Sequence, residues 1–371
     1  MGDKINPLLQ PDYMKPVGQV YANTTLHFIT QSCSLDPICG WQLFGRSPEL
    51  PSWVPDYNLD QEHAAVPLVP IIEVENIFSA SKGHVEMKFP TIDEATSSKY
   101  NWRELCTTGF CLDSVAVLSK TVPLSSSFGD TEEIWSKTIT GAIDFCLATD
   151  DKMKYSLDVI SEVVCSLNEF WNSIRDSSKA EELAGHGPQD SELNLMTSPS
   201  LEMDDTGMAS IEKNDPPNEQ RTISLSGVKS YVVDAYIHSL FSGKFSAEQR
   251  LTREKINHIL NYNIPTPLKG IKTQEVQEVM EICDSLIAGM RGRRISITKS
   301  GHIGSLPEET EIGDLVCILL GCSVPVVLRK QEGVEHGYEF VGECYLHGFM
   351  DGEAMAMLEN GQLKAEDINL H

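Results

Sequence analysis

A series of short apolar runs separated by glycine-containing turns occupies the C-terminal third of the sequence. Ile295 and Ile297 alternate with polar neighbours, and the runs 315–320 and 324–328 are separated by a Gly-Cys-Ser turn. Strands of this length need turn residues between them, whereas a helix would need apolar residues at every third or fourth position. The pattern therefore predicts antiparallel strands in a β-meander or small barrel, with residues 338–347 as the last long strand.

The N-terminal part of the sequence predicts one amphipathic helix followed by an extended segment. Pro16 suits the first turn of a helix, and the helix is expected to end near Gln31. Its buried face is predicted from the apolar spacing and comprises Val17, Val20, Tyr21, Thr24 and Phe28. The segment LPSWVPDYN, residues 50–58, contains two prolines. It predicts an extended stretch that Trp53 and Tyr57 anchor to a core.

The middle of the sequence alternates between strand and helix signals. Between about residues 76 and 120, short alternating patterns predict a small half-buried sheet; their apolar residues are Phe78, Ala80, Val85, Met87, Phe89, Val115 and Val117. Helical spacing predicts packing helices in several further stretches. These stretches begin near residue 131 and cover 154–174, 231–241, 247–262 and 274–287.

Residues 176–222 differ sharply in composition from the rest of the chain. They are rich in Ser, Glu, Asp, Gly and Pro and contain few large apolar residues, so they bury too little surface to offset the entropy of ordering. We therefore expect a disordered acidic insertion. The predicted fold class is α+β, with helical segments packed on small antiparallel sheets. The chain divides into a helical and small-sheet region at 1–175, the insertion, and helices followed by the antiparallel β unit at 223–371.

The charge of the chain limits its partners. Its 54 acidic and 29 basic residues give a formal net charge of −25. This excess of carboxylates repels phosphate, which argues against a nucleic-acid or anionic-membrane partner. The first residues, MGDKINPLLQ, lack the apolar core of a secretion signal, and no apolar run is long enough to span a bilayer. These features favour a cytoplasmic protein, and they are compatible with a protein partner or a small molecule.

The ten cysteines are predicted to be reduced thiols, because a large chain without a secretion signal does not usually form a disulfide framework. Cys33 with Cys39, and Cys106 with Cys111, are spaced more widely than the cysteines of a zinc knuckle, and neither pair has a matching second half. No metal site and no cofactor are predicted.

The stretch FVGECYLHGFMDGEAM, residues 340–355, contains the densest set of reactive side chains. On a continuous strand Phe340, Gly342, Cys344 and Leu346 would share one face, so Cys344 would point away from His347. Glu343, Tyr345 and His347 would share the opposite face, and they are the candidate catalytic residues. A solvated strand face produces the same pattern. Asp351 is expected to cap the helix that follows.

Common catalytic templates are absent from the sequence. There is no G-x-S-x-G elbow, no G-x-G-x-x-G or Walker loop, no H-E-x-x-H motif and no EF-hand loop. This favours a chain that is not an enzyme.

Several segments together resemble fungal heterokaryon-incompatibility (HET) proteins. GDLVCILLGCSVPVVLRK (313–330) followed by YEFVGECYLHGFMDGEAM (338–355) resembles the C-terminal signature of that family, and residues 294–304 resemble the segment before it. Residues 11–21, 34–38, 50–58, 78–89 and 107–119 resemble stretches that follow the family's N-terminal effector domain. That domain should precede residue 11, so the resemblance implies a HET C-terminal region without its effector domain. No catalytic residue of the effector domain has a matching position here.

Two functional hypotheses follow. The resemblance implies an interaction or regulatory module in heterokaryon incompatibility and self-recognition. Alternatively, such a chain would serve as an accessory protein or enzyme of the cyclase or isomerase type in a specialised-metabolite gene cluster, with Glu343, Tyr345 and His347 around a pocket. Neighbouring genes would distinguish the two.

Overall fold

The structure is a computed structural model. It describes residues 6–39, 46–58, 66–69, 76–82, 90, 92–97, 100–119, 225–246, 249–260, 281–282, 284–286, 288–334 and 336–371. The helices predicted after residue 131 and at 154–174, the acidic insertion at 176–222, and the strand predicted around Val85 lie outside these residues.

The described part of the chain contains five α-helices with defined bounds and eight strands. The helices are α1 (Val17–Ser32), α2 (Ile92–Thr96), α3 (Leu225–Leu240), α4 (Arg253–Leu260) and α5 (Glu353–Glu359), with short 3-10 helices at Pro7–Leu9 and Asp36–Ile38. The strands are β1 (Leu105–Leu118), β2 (Arg293–Thr298), β3 (Ile303–Pro307), β4 (Leu315–Leu319), β5 (Val326–Lys330), β6 (Gly337–Glu343), β7 (Tyr345–Leu346) and β8 (Glu366–Leu370). Described residues between 281 and 290 are also helical. The predicted α+β class is confirmed.

Helix α1 begins after Pro16, as predicted, but its buried face differs from the predicted one. The residues that face the core are Ala22, Asn23, Thr25, Leu26 and Ile29. Val17, Val20 and Phe28 are instead 64%, 41% and 44% exposed. The helix has apolar residues on two sides, so spacing alone allows two faces, and tertiary packing selects the one with Leu26 and Ile29.

All eight strands belong to one mixed sheet, in the order β4-β5-β6-β8-β1-β2-β3-β7, with a further pairing between β1 and β4. The pairings therefore run in a closed circuit through β1, β4, β5, β6 and β8. The expected sheet was antiparallel, but β6 and β8 run parallel, with Gly337 opposite Asn369. This parallel pair is formed because the chain passes through α5 between the two strands and returns in the same direction.

Strand β1 corrects a second prediction. The region 76–120 was expected to form a small sheet of its own, but Phe78 and Ala80 lie in loop and turn structure, and β1 pairs with β2, β4 and β8. Long-range pairing of this kind leaves no local signal, because alternation reports that a strand exists and not which strand it pairs with.

Apolar residues on the two faces of the central strands pack into two clusters. Cys317 and Leu319 of β4 belong to the cluster that includes Trp53, while Val316 and Ile318 belong to the cluster on the other face. Burial on both sides explains why β4 is a continuous apolar run with no polar alternation. Trp53 is fully buried, which confirms its predicted role as an anchor. The segment 50–58 is not extended as predicted, because it contains turns, and the Val54 N–H donates to the Pro51 carbonyl at 3.0 Å.

No helix in the described ranges is long and apolar enough to cross a membrane.

Candidate functional site

The strand predicted at 338–347 is interrupted at Cys344, which separates β6 from β7. Strand β6 pairs with β5, and one extra residue enters β6 at Val341, where Val327 lies opposite Gly342 and Leu328 opposite Phe340. This bulge shifts the alternation of side chains. Phe340 therefore packs in one core cluster, while Cys344 and Leu346 pack in the other.

The bulge and the break together make the predicted grouping of faces wrong. Phe340 does not share a face with Cys344 and Leu346, although the alternation of a regular strand required it. A bulge cannot be predicted from apolar spacing, because it shifts which side chains point to each face of the strand and leaves no mark in the composition.

Glu343 lies in a dry ion pair with Arg293, and both side chains are 0% exposed. Arg293 Nη2 lies 2.7 Å from Glu343 Oε1, and Arg293 Nη1 donates to the Glu343 carbonyl oxygen at 3.0 Å. The carboxylate also accepts hydrogen bonds from the backbone N–H groups of Leu68 at 2.6 Å and Val69 at 3.4 Å. Its oxygens are thus engaged in holding the fold together.

Lys244 completes the set of charged side chains around residues 66–69. Its Nζ donates to the carbonyl oxygens of Leu68 at 2.9 Å and Pro67 at 3.2 Å. Burial lowers the pKa of Lys244 from its ordinary value, and the nearby Glu343 carboxylate opposes this effect. Three charged residues distant in sequence therefore fix one short segment against the sheet.

Tyr345 and His347 form the second polar centre of this stretch. Tyr345 Oη lies 3.0 Å from His347 Nδ1. Burial raises the pKa of Tyr345. Burial, followed by the neighbouring His238, lowers the pKa of His347 from 6.5 to about 4. At neutral pH both side chains are uncharged, and they share one hydrogen bond whose donor depends on the tautomer of His347.

Helix α3 supplies two rings that the sequence analysis did not connect with His347. The His238 ring centroid lies 5.0 Å from that of His347, and the Tyr231 centroid lies at 5.5 Å. His238 Nδ1 donates to the backbone carbonyl of Asp234 at 2.8 Å. Tyr231, Asp234 and His238 are spaced three and four residues apart, which places them on one helix face. This spacing is the one feature of the sequence that indicates a shared polar face on α3.

Gly243, just after α3, allows the backbone to approach Tyr345 closely. Its φ is +70°, and a Cβ at this position would overlap the Tyr345 ring. A side chain here would be strained both by the backbone conformation and by this contact. Gly243 therefore sets the distance between the end of α3 and β7.

Asp351 does not cap helix α5, contrary to the sequence prediction. Gly352 occupies the N-cap position with a φ of +83° and makes no side-chain cap. Asp351 instead forms an ion pair with Arg250, whose Nη1 lies 2.6 Å from Oδ2. Glu353 Oε2 accepts a hydrogen bond from the backbone N–H of Asp351 at 2.8 Å, so this glutamate in the first turn satisfies the amide of the residue before the N-cap.

Asp36, Cys39 and Cys322 form a group with metal-ligand spacing among the described residues. Asp36 already accepts hydrogen bonds from the Ser323 N–H at 2.7 Å and from the Asn76 amide at 2.9 Å. Burial raises the pKa of Asp36. The hydrogen bond with Cys322, together with burial, raises the pKa of Cys39. Neutral thiols and a hydrogen-bonded carboxyl describe a structural cluster that joins the turn at Asp36 to the β4–β5 turn.

A cleft of about 740 Å³ lies between segment 46–55 and β6. Its charged lining includes Arg46, Arg103, Arg329, Glu308, Glu309 and Glu339, and none of Glu343, Tyr345 and His347 lines it. Arg329 is engaged by Asp314 at 2.9 Å. The cleft and the predicted catalytic residues are therefore separate features.

Residues 272–363 match the model of the Het-6 beta-barrel domain. The C-terminal region is therefore related to heterokaryon incompatibility proteins, as the sequence motifs predict.

Among curated proteins, the chain is similar to heterokaryon incompatibility protein 6, OR allele, of Neurospora crassa. The two are 37% identical over 65 residues, which is 17% of this chain and 10% of the relative. The chain thus matches about a tenth of the length of that relative. No solved structure matches.

Proposed function

We propose that this protein is an interaction or regulatory module in heterokaryon incompatibility, the system of self-recognition between fungal cells. The match of residues 272–363 to the Het-6 beta-barrel domain and the similarity to a Neurospora crassa incompatibility protein support a role of this kind. The part played by the chain is the recognition of a protein partner.

One observation carries the proposal, namely an apolar surface along the N-terminal segment and α1. Six large apolar side chains of this surface are exposed; they are Leu9, Tyr13, Met14, Val17, Val20 and Phe28. Tyr13 and Met14 are 98% and 92% exposed. We call these six residues the α1 surface.

Helix α1, which contributes three of these six residues, is also free of charged side chains, and Asp12 and Lys15 lie in the segment before it. None of the sixteen residues of α1, VGQVYANTTLHFITQS, is Asp, Glu, Lys or Arg, whereas the whole chain carries a net charge of −25. Depletion of charge at the centre of a contiguous apolar patch is typical of protein interfaces.

The enzymatic alternative receives less support from the geometry. A cyclase or isomerase needs an acid or base poised near neutral pH and facing a pocket. The pKa of His347 is lowered to about 4, Glu343 is paired with Arg293, and the 740 Å³ cleft is lined by neither residue.

The test uses the full chain with V17S, V20S and F28S combined, expressed in a fungal host such as Neurospora crassa. These side chains point away from the core, so the variant should fold. The matched control is I312S with V334S, which removes apolar side chains that are also exposed, 62% and 41%, but lie outside the α1 surface. Cross-linking with mass spectrometry identifies partners and the residues that touch them.

We expect the wild-type chain and the control to give cross-links from the α1 region to the same protein, and overexpression of both to cause an incompatibility growth defect. The α1 variant should lose both effects. Equal recovery of the same partner by the α1 variant, or no growth phenotype with any of the three proteins, would contradict the proposal.

A further inference from the structure

Cys111 and Cys317 lie directly opposite each other on the antiparallel strands β1 and β4. Leu320 N donates to Thr108 O at 2.9 Å, and hydrogen-bonded and non-hydrogen-bonded pairs alternate along such a ladder. Counting from that bond places Cys111 and Cys317 in a non-hydrogen-bonded pair. At such sites the Cα atoms are closest, at about 4.5 Å, which is within the range that a disulfide spans.

The two thiols differ in accessibility and acidity. Cys111 is half-buried, whereas Cys317 is only 2% exposed. A hydrogen bond from Cys317 stabilises the Cys111 thiolate and lowers the pKa of Cys111, while the same contact and burial raise the pKa of Cys317. A partly exposed thiol of lowered pKa beside a second thiol is the arrangement found at oxidation-sensitive cysteines.

We propose that Cys111 is a site of oxidation by hydrogen peroxide and that Cys317 is its resolving cysteine. In the first step the Cys111 thiolate attacks one peroxide oxygen, the O–O bond breaks, and the departing hydroxide takes up a proton to leave as water. Cys111 is then a sulfenic acid.

In the second step the Cys317 sulfur attacks the Cys111 sulfur, the S–O bond breaks, and the second oxygen leaves as water with the thiol proton. The peroxide has been reduced to two waters, and two thiols have been oxidised to one disulfide. A reducing dithiol reverses the modification by thiol–disulfide exchange.

The position of the pair gives the modification a structural consequence. The β1–β4 pairing closes the circuit of strands through β5, β6 and β8. A disulfide between Cys111 and Cys317 would replace a closure held by hydrogen bonds and packing with a covalent one.

Two other features of the chain serve as internal comparisons. Cys39 and Cys322 are also close, with sulfur atoms 4.0 Å apart, but both are buried. Cys106 lies on β1 itself and is exposed. Its pKa is raised by partial burial and by the nearby Glu104 and Asp367 carboxylates. Thiolate content therefore predicts that Cys111 reacts before Cys106, although Cys106 is more exposed, and both access and thiolate content predict that it reacts before the buried Cys39–Cys322 pair.

The experiment treats the reduced full chain with hydrogen peroxide at neutral pH, blocks the remaining thiols, and identifies modified peptides by mass spectrometry. We expect a Cys111–Cys317 disulfide to appear first in the wild-type chain. In the C317S variant, Cys111 should accumulate as a sulfenic acid that dimedone captures. The C111S variant should form no disulfide at Cys317, and the control variant C322S should behave as wild type.

Without peroxide, iodoacetamide should alkylate Cys111 at least about threefold faster than Cys106, because the thiolate is the reacting species. This measurement needs only the wild-type chain, so it does not depend on the folding of any variant. Earlier oxidation of Cys106 or of the Cys39–Cys322 pair, or equal alkylation of Cys106 and Cys111, would overturn the proposal.

Discussion

The residues on either side of Cys344 lie in opposite kinds of surroundings. Before it, Glu343 is fully buried and paired with Arg293, so a charged group is kept inside the protein by a charge of opposite sign. After it, Tyr345 and His347 are joined by a hydrogen bond of 3.0 Å beside a second imidazole, His238, and stay uncharged. The first arrangement stabilises charges by pairing, and the second avoids them by desolvation.

This difference shows that residues close together in the sequence do not have to act together in one site. Glu343, Tyr345 and His347 occupy alternate positions, and a regular strand would put them on one face. The break at Cys344 puts Glu343 at the end of β6 and Tyr345 in β7. The carboxylate pairs with Arg293, while the Tyr345–His347 pair lies beside the rings of α3. Their assignment as catalytic residues stays a prediction, and the two centres respond to different perturbations.

The largest effect is expected from Glu343→Ala. Removing the carboxylate leaves the Arg293 guanidinium buried without its opposite charge, which typically costs about 3 to 5 kcal/mol. Urea unfolding of the full chain measures the loss in unfolding free energy. The double variant R293M/E343L removes both charges and should recover most of that loss. A loss below about 1 kcal/mol in the single variant would mean that water reaches this pair.

The next effect is a pH dependence centred on His347. Its pKa falls from 6.5 to about 4 on folding, so below pH 6.5 the unfolded chain binds more protons than the folded one. Stability from this group is present above pH 6.5 and is lost as the pH falls toward about 4. For a half-buried ring we expect a loss of about 1 to 2 kcal/mol.

The measurement is the unfolding free energy from pH 7 to pH 4 for the wild type and for His347→Gln. Carboxylates titrate in the same window and contribute to both curves, so the difference between the two proteins isolates the histidine. His238→Gln should reduce the wild-type slope, because His238 is one cause of the lowered pKa of His347. Parallel curves for wild type and His347→Gln would refute the assignment.

A smaller loss is expected from Tyr345→Phe, which keeps the ring against Gly243 and removes only the hydroxyl. A neutral hydrogen bond of this kind contributes about 1 kcal/mol. Thermal or urea unfolding measures the change, with Tyr13→Phe as the control because Tyr13 is 98% exposed. If Tyr345→Phe lowered the unfolding free energy as much as Glu343→Ala does, the contrast between the buried ion pair and the uncharged ring pair would be wrong.

The smallest effect is expected from Asp351→Asn. The Arg250–Asp351 pair has side chains that are 38% and 51% exposed, and exposed pairs contribute at most about 1 kcal/mol. High salt should weaken this pair and leave the Arg293–Glu343 pair nearly unchanged. Double-mutant cycles at low and high salt compare the two pairs directly, and equal salt sensitivity would contradict the contrast in burial.

Local sequence patterns predicted the positions of helices and strands better than they predicted the distant residues that these contact. Alternation and turn residues located β2, β4 and β5 to within about two residues, and Pro16 marked the start of α1, because these features depend on neighbours in the chain. The partner of Glu343, by contrast, is fifty residues away in sequence. The residues next to Arg293 and Glu343 in the sequence do not indicate that these two side chains form an ion pair.

The errors have a common physical origin. Apolar spacing allowed two faces for α1, and contacts with distant segments selected the face that contains Leu26. The same holds for β1, whose alternation was visible around Val115 but whose pairing with β4 and β8 was not. Asp351 was assigned to a cap because capping is local, whereas Arg250 approaches it from a distant loop.

The central place of β1 in the sheet constrains how the protein is made in the cell. Leu105 pairs with Leu370, and Gly109 pairs with Leu319, so none of these ladders can form until most of the chain has left the ribosome. Until then β1 has two unpaired edges and its apolar side chains are not buried, which is the state most prone to aggregation. Synthesis of this protein should therefore depend on chaperones that bind nascent chains, and the sheet should assemble after translation rather than during it.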